Sequence, residues 1–266
     1  MAIITSTKTL TKTTHRMVHS GPITPLPNKD DEKFAKNYMK KLNMEEENKS
    51  SFGRKINEMS LKLGSHPEKP LGPESTPPVT PDACDPNLVM DAVTTLRGEK
   101  IFFVNRFFWR VHPEFTLEQH LIKYFWPELP NNIDAAFEDE SADLVYIFKG
   151  QKVWALRAFD IVERLDLGSF KLPDAVKRID AAFYDENSKR VLFIVGRSYY
   201  SYDIDKKVMD QGAPKPVEQI FPGMSEMVTA AFQEDGNTYL FSGSGIFHFS
   251  NGKLVNTLKT NHFFKC

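Results

Sequence analysis

From about residue 90 onward, short apolar runs rich in aromatic and β-branched residues alternate with turn residues, and the alternation repeats at a nearly fixed spacing. Ile133-Asp134-Ala135-Ala136-Phe137 recurs as Ile179-Asp180-Ala181-Ala182-Phe183. Met90-Asp91-Ala92-Val93 is a looser copy, and Val228-Thr229-Ala230-Ala231-Phe232 is a fourth, with steps of 43, 46 and 49 residues. Two aromatic runs follow each copy. The first is Ile101–Val104, Val145–Phe148, Val191–Val195 and Thr238–Phe241; the second is Phe107–Arg110, Lys152–Leu156, Tyr199–Tyr202 and Ile246–Phe249. Several β-type runs per period in the forties predict propeller blades, since one such unit cannot bury its own apolar face and must stack on neighbours. Four copies predict an all-β, four-bladed propeller over residues 84–266. An ordinary β-sandwich is the competing reading, and the fixed period weighs against it.

The chain before the repeats reads differently. Residues 1–32 are polar, without period and broken by Pro22, Pro25 and Pro27, so they read as a disordered tail. Over 33–63, Phe34, Tyr38 and Leu42, then Phe52, Ile56, Met59 and Leu63, fall at helical spacing. Residues 64–83 form a linker stiffened by prolines from Pro67 to Pro81.

At this point a family resemblance becomes specific. Cys84-Asp85-Pro86, the four blades, Trp126-Pro127-Glu128-Leu129-Pro130 and the last residue, Cys266, resemble the hemopexin-like domain of the matrix metalloproteinases, the collagenase and stromelysin group in particular. The helical segment is similar to the start of that family's propeptide, and the linker to its hinge. The zinc-protease domain that would stand between them has no counterpart here. The resemblance implies a secreted, extracellular-matrix protein, although the first thirty residues lack the apolar core of a signal peptide. It also implies a Cys84–Cys266 bridge joining blade 1 to blade 4. Two free buried thiols are the alternative, favoured if the chain stays in the cytosol.

Composition narrows the partners. With Lys+Arg 34 against Asp+Glu 35, no global field attracts nucleic acid or an anionic membrane. No apolar run is long enough for a membrane span. None of the seven histidines stands in an H-E-x-x-H context: His15 and His19 are one helical turn apart but have no glutamate between them. No catalytic residue is therefore assigned, and zinc is expected only in the absent protease domain. Glu138-Asp139-Glu140 and Asp185-Glu186 fall where blade strands should turn and read as solvated loops. His112 and His120 read as exposed polar residues, and Trp109, Trp126 and Trp154 as core. Asn48-Lys49-Ser50 is a glycosylation sequon, usable only in the secretory pathway.

One ionic site is expected. A propeller brings each blade's innermost strand to a central channel, which places Asp91, Asp134, Asp180 and Thr229 at equivalent positions. Main-chain carbonyls from four blades form an oxygen ring suited to calcium, or to water or sodium if its size is untuned. The resemblance supports calcium there, and a second ion layer two residues on, at Val93, Ala136, Ala182 and Ala231. It further implies binding to collagen or other matrix proteins, to tissue inhibitors of metalloproteinases, and to full-length protease chains. The rival readings are a zinc metalloendopeptidase whose catalytic segment is missing from this sequence, and a propeller that carries an ion or haem.

Overall fold

Each copy of the repeat folds as one antiparallel sheet, because its apolar runs are just long enough for strands of five or six residues and are joined by tight hairpins. The computed structural model describes residues 80–112 and 117–266. The tail, the helical segment and nearly all of the linker lie outside them. Blade 1 comprises β1 (Ala92–Leu96), β2 (Glu99–Val104), β3 (Phe107–Val111) and β4 (Glu118–Leu121). Blade 2 comprises β5 (Ala135–Asp139), β6 (Leu144–Lys149), β7 (Lys152–Arg157) and β8 (Asp160–Asp166). Blade 3 runs β9 (Ala181–Asp185), β10 (Arg190–Val195), β11 (Ser198–Asp203) and the two-residue β12 (Val208–Met209), with β13 (Lys215–Pro216) on the same edge of β11. Blade 4 comprises β14 (Ala230–Glu234), β15 (Asn237–Ser242), β16 (Gly245–Ser250) and β17 (Lys253–Lys259). Within each sheet the strands pair in chain order, and the innermost strands β1, β5, β9 and β14 each contact the next around a closed ring.

The repeat explains this ring. Its alanines, Ala135 and Ala136, Ala181 and Ala182, Ala230 and Ala231, are all about 1 % exposed, so small side chains let four inner strands crowd one axis. The outermost strand of each blade carries little repeat signal and was not anticipated. β8 and β17 are mostly exposed, and that is why no apolar period marks them.

Aromatic residues fill the spaces between blades. Phe137, Phe148, Phe170 and Phe193 meet between blades 2 and 3, and Phe183, Phe221 and Phe249 between blades 3 and 4. Between blades 1 and 2, Phe108 meets Phe125 of a short helix (Ile122–Phe125) edge to face, and the Trp126 indole N–H donates to the Ala158 carbonyl at 3.0 Å. Two expectations are corrected here. His120 is 5 % exposed, packed against Phe108 and Phe125 within the interface, so it is a core residue. Trp109 and Trp126 are core as expected, but Trp154 on β7 is only half-buried.

The ring closes between blades 4 and 1. Phe102, Trp109, Phe232 and Phe264 pack together there, and the buried Thr260 hydroxyl donates to the Leu88 carbonyl at 2.7 Å. The disulfide Cys84–Cys266 locks this junction across a separation of 182 residues. Among the described residues no strand is exchanged between the first and last blades, so this covalent bond and the aromatic packing together carry the closure.

Candidate functional site

The residues that begin the four inner strands converge. Asp91, Asp134, Asp180 and Thr229 each donate their backbone N–H to the neighbouring strand, at Phe103, Phe148, Ile194 and Phe241 respectively, at 2.8–2.9 Å. All four line one cavity of about 350 Å³ at this mouth of the channel. Equivalent register in four blades produces this convergence, which is why the spacing alone located it.

The carboxylates do something the sequence reading missed. Asp91 Oδ2 accepts the Asn105 amide at 2.5 Å, Asp134 Oδ2 the Gly150 amide at 2.6 Å and Asp180 Oδ2 the Gly196 amide at 2.7 Å. Each donor opens the two-residue hairpin between the blade's second and third strands, at positive φ (56°, 55° and 61°). The aspartate is thus a turn clamp, and the Asn or Gly 14 or 16 residues downstream was the available signal. Thr229 makes no such clamp; its hydroxyl donates to the Phe241 carbonyl at 3.4 Å.

Cations temper this mouth. Lys149 Nζ bridges Asp134 Oδ1 at 2.8 Å and the Asn132 carbonyl, and Arg178 pairs with Asp180 Oδ1 at 2.8 Å. Burial pushes the Asp91 carboxyl up, opposed by the Asn105 amide and Lys149 and reinforced by Asp134. Three carboxylates thus face two cations.

The second layer is less regular. Ala136, Ala182 and Ala231 line a separate cavity of about 580 Å³ toward the opposite mouth, where the inner strands end. Val93 packs instead in the apolar cluster with Phe102 and Trp109, and Thr94 and Thr95 supply blade 1's share of the wall. The acidic runs expected in solvated loops are corrected in part: Glu138 and Asp139 lie on β5, 6 % and 8 % exposed, within this wall, whereas Glu140 and Glu186 are exposed turn residues. Among the described residues, no three His, Cys, Asp or Glu side chains gather closely enough to hold a metal. No described helix is long and apolar enough to cross a membrane.

A four-bladed ring of this construction defines the hemopexin fold. Residues 90–131, 133–168 and 179–226 match the Hemopexin family model. The crystal structure of the hemopexin-fold protein CP4 from cow pea superposes with a TM-score of 0.56 over 66 % of this chain and 95 % of that one, at 21 % identity. Sequence relatives narrow the class. Matrix metalloproteinase-18 of Xenopus laevis is 42 % identical over 207 residues, which is 76 % of this chain and 43 % of that protein. Human neutrophil collagenase is 40 % identical over 190 residues, 70 % of this chain and 39 % of its own length. The propeller is a hemopexin domain of the matrix-metalloproteinase type. The chain spans less than half the length of these relatives.

Proposed function

We propose that this chain acts as a non-catalytic binding module that engages extracellular-matrix protein, collagen first, and tissue inhibitors of metalloproteinases. The observation that carries the reading is the level of identity, about two residues in five, to proteins whose names make them collagenases. The Cys84–Cys266 bond supports an extracellular setting, since such bonds persist in oxidising compartments. A full-length protease of the same family is a further partner, with which the module competes for substrate or inhibitor. The second reading is a zinc metalloendopeptidase whose catalytic segment lies outside this sequence; the greater length of the relatives favours it.

Calcium fits the mouth lined by Asp91, Asp134, Asp180 and Thr229. The three carboxylates are committed to hairpin amides, two of them also to Lys149 or Arg178, and the Thr229 hydroxyl to the Phe241 carbonyl, so main-chain oxygens are the donors left for a hard cation. Bound there, calcium would tie four blades together. A second ion layer belongs to the same reading at Ala136, Ala182 and Ala231, which line the other cavity, while Val93, the fourth residue expected there, packs in an apolar cluster.

The test is direct. The purified chain, with calcium present, is titrated onto immobilised fibrillar collagen and a metalloproteinase inhibitor, and added to a collagen-cleavage assay of a full-length collagenase. Saturable binding with slowed cleavage is expected. Binding to neither partner, with cleavage unchanged, overturns the module reading.

A further inference from the structure

The last hairpin of blade 4 has a chemistry that no other turn in the ring shares. Asn251 and Gly252 alone join β16 to β17, with Ser250 paired to Lys253 and both turn residues left-handed, at φ of 50° and 71°. Left-handed backbone at two successive positions is what selects Asn-Gly in a two-residue hairpin. This is the only Asn-Gly step in the 266 residues.

The step supports a reaction as well as a turn. The Gly252 nitrogen lies one bond beyond the Asn251 carbonyl carbon, so its attack on Asn251 Cγ closes a five-membered ring. Glycine has no Cβ to hinder that approach. Other described asparagines are held or crowded. Asn105 and Asn132 bond to each other, Asn187 to Asp185, Asn237 and Asn256 to His248, and Asn261 to the Cys84 carbonyl. Asn87 and Asn131 precede Leu88 and Asn132, whose side chains flank the attacking nitrogen. Asn251 is exposed, and its amide has no hydrogen-bond partner among the described residues. Asp235-Gly236, in the same blade, has the same φ of 50° and 71°, but its Gly236 N–H is held by Glu186 Oε2 at 3.2 Å and a carboxylate has no amine to lose.

We infer that Asn251 is a deamidation site, converted in the folded protein to aspartate and isoaspartate. The Gly252 nitrogen gives its proton to water and bonds to Asn251 Cγ, and the side-chain nitrogen leaves as ammonia. Water then opens the cyclic imide. Opening at the side-chain carbonyl gives aspartate; opening at the main-chain carbonyl gives isoaspartate, which routes the chain through Cβ and Cγ and adds one carbon to the backbone. The net change is amide plus water to acid plus ammonia, and no other reactant is needed. Ring closure requires Asn251 to leave its left-handed conformation. The blade permits this, because β17 pairs with β16 alone and residues 253–257 are all exposed.

The added carbon falls where the hairpin has little room. Gly252 lies so close to the connection from blade 3 that a Cβ there would meet the Ile220 carbonyl at 3.2 Å, and Leu254 covers Gly223 of the same connection. Beneath them Phe221 packs on Phe249 in the core between blades 3 and 4. A longer turn cannot keep both this seat and the pairing of Ser250 with Lys253. Isoaspartate therefore loosens β17, whereas aspartate, which tolerates left-handed backbone, leaves it in place.

The experiment ages the full, disulfide-closed chain at neutral pH and physiological temperature, with peptide mass mapping and hydrogen exchange on fresh and aged protein. Exchange of the side-chain amine for a hydroxyl is expected in the peptide containing Asn251, as two isomers. It should run about tenfold or more faster than at any other asparagine of residues 80–266, which is ~1.4 kcal/mol of barrier. Hydrogen exchange over Lys253–Lys259 should rise in the isoaspartate fraction. It should stay at the fresh level in Asn251→Asp, which has the charge without the added carbon. Asn251→Gly, suited to the same φ, should age with no change in either readout, and it provides the comparison if Asn251→Asp does not fold. Conversion at Asn251 no faster than elsewhere, or seen only after unfolding in urea, overturns the site. Conversion with hydrogen exchange unchanged over β17 overturns the loosening.

Discussion

The two mouths of the channel are built from the same four strands, yet they handle charge in opposite ways. Where the strands begin, three aspartates clamp hairpin amides and two of them also pair with Lys149 or Arg178. Where they end, acids outnumber cations on the cavity wall and one oxygen of Glu138 is buried with no hydrogen-bond partner among the described residues. The first mouth is four-fold by repetition; the second owes its character to positions that differ from blade to blade, Glu138 where blade 4 has Gln233, and Thr94 where the other three have phenylalanine. Repetition satisfies polar groups by shared geometry. Departure from it leaves one buried without a partner.

Opening the ring should disturb both mouths at once, and it is the largest effect expected. Replacing Cys84 and Cys266 together with serine removes closure of a loop spanning 182 residues, worth about 5 kcal/mol in the chain-entropy model. A large fall in the urea midpoint of the oxidised protein, absent when both proteins are reduced, is the expected result. An unchanged midpoint would mean that the packing of Phe102, Phe232 and Phe264 closes the ring unaided.

The next effect breaks the satisfied mouth alone. Asp134→Ala removes the Gly150 clamp and leaves Lys149 with only the Asn132 carbonyl of its two partners here. A loss of roughly 1–3 kcal/mol is expected from a half-buried hydrogen-bonded network of this kind. Urea denaturation of the variant measures it.

At the other mouth the same kind of change should have the opposite sign. Glu138→Gln keeps the acceptor of the Arg97 amide and removes a buried charge, so it should stabilise by on the order of 1 kcal/mol at neutral pH. The pH dependence follows from burial, which raises the folded carboxyl above its ordinary 4.5. Below the unfolded value both states are protonated and the native protein bears no penalty. As pH rises through the folded value the folded state must ionise, and stability is lost. Arg97, Glu140 and Asp143 share this neighbourhood, with Asp143 held below its usual range by its hydrogen bonds to Arg97. The gap between the variant and the native protein should therefore widen from acid toward neutral pH. A gap independent of pH would show that Glu138 does not titrate above its ordinary range.

This contrast also sets what the sequence could disclose. The repeat made the four blades, their inner strands and the convergence of Asp91, Asp134, Asp180 and Thr229 legible, because each signal occurs four times at one register. Outer strands β8 and β17 were hidden because exposed strands need no apolar period. Glu138 was misplaced in a loop because an acidic pair looks like a turn unless its hydrogen-bond partner, the Arg97 amide 41 residues away, is known. His120 was misread for a similar reason, since aromatic packing against Phe125 leaves no mark in local sequence. Singular features in a repeat protein carry no echo, and tertiary contacts alone define them.

The smallest effect sharpens the comparison by completing the regular mouth. Thr229→Asp supplies the aspartate that the other three blades carry, opposite a hairpin whose first residue, Gly243, has φ of 54° as its counterparts do. The clamp gained is worth about 0.5–1.5 kcal/mol. Without calcium, the fourth carboxylate shifts the balance from three acids against two cations to four, and repulsion offsets part of that gain. With calcium bound to the carbonyl ring, the added charge becomes favourable, and affinity should tighten roughly three- to tenfold, because ligand charge tunes such sites. The difference between the stabilising effects in calcium and in chelator is thus the quantity to measure, by thermal unfolding of both proteins. A difference near zero would place calcium elsewhere than at this mouth, while leaving the turn-clamp role of Asp91, Asp134 and Asp180 intact.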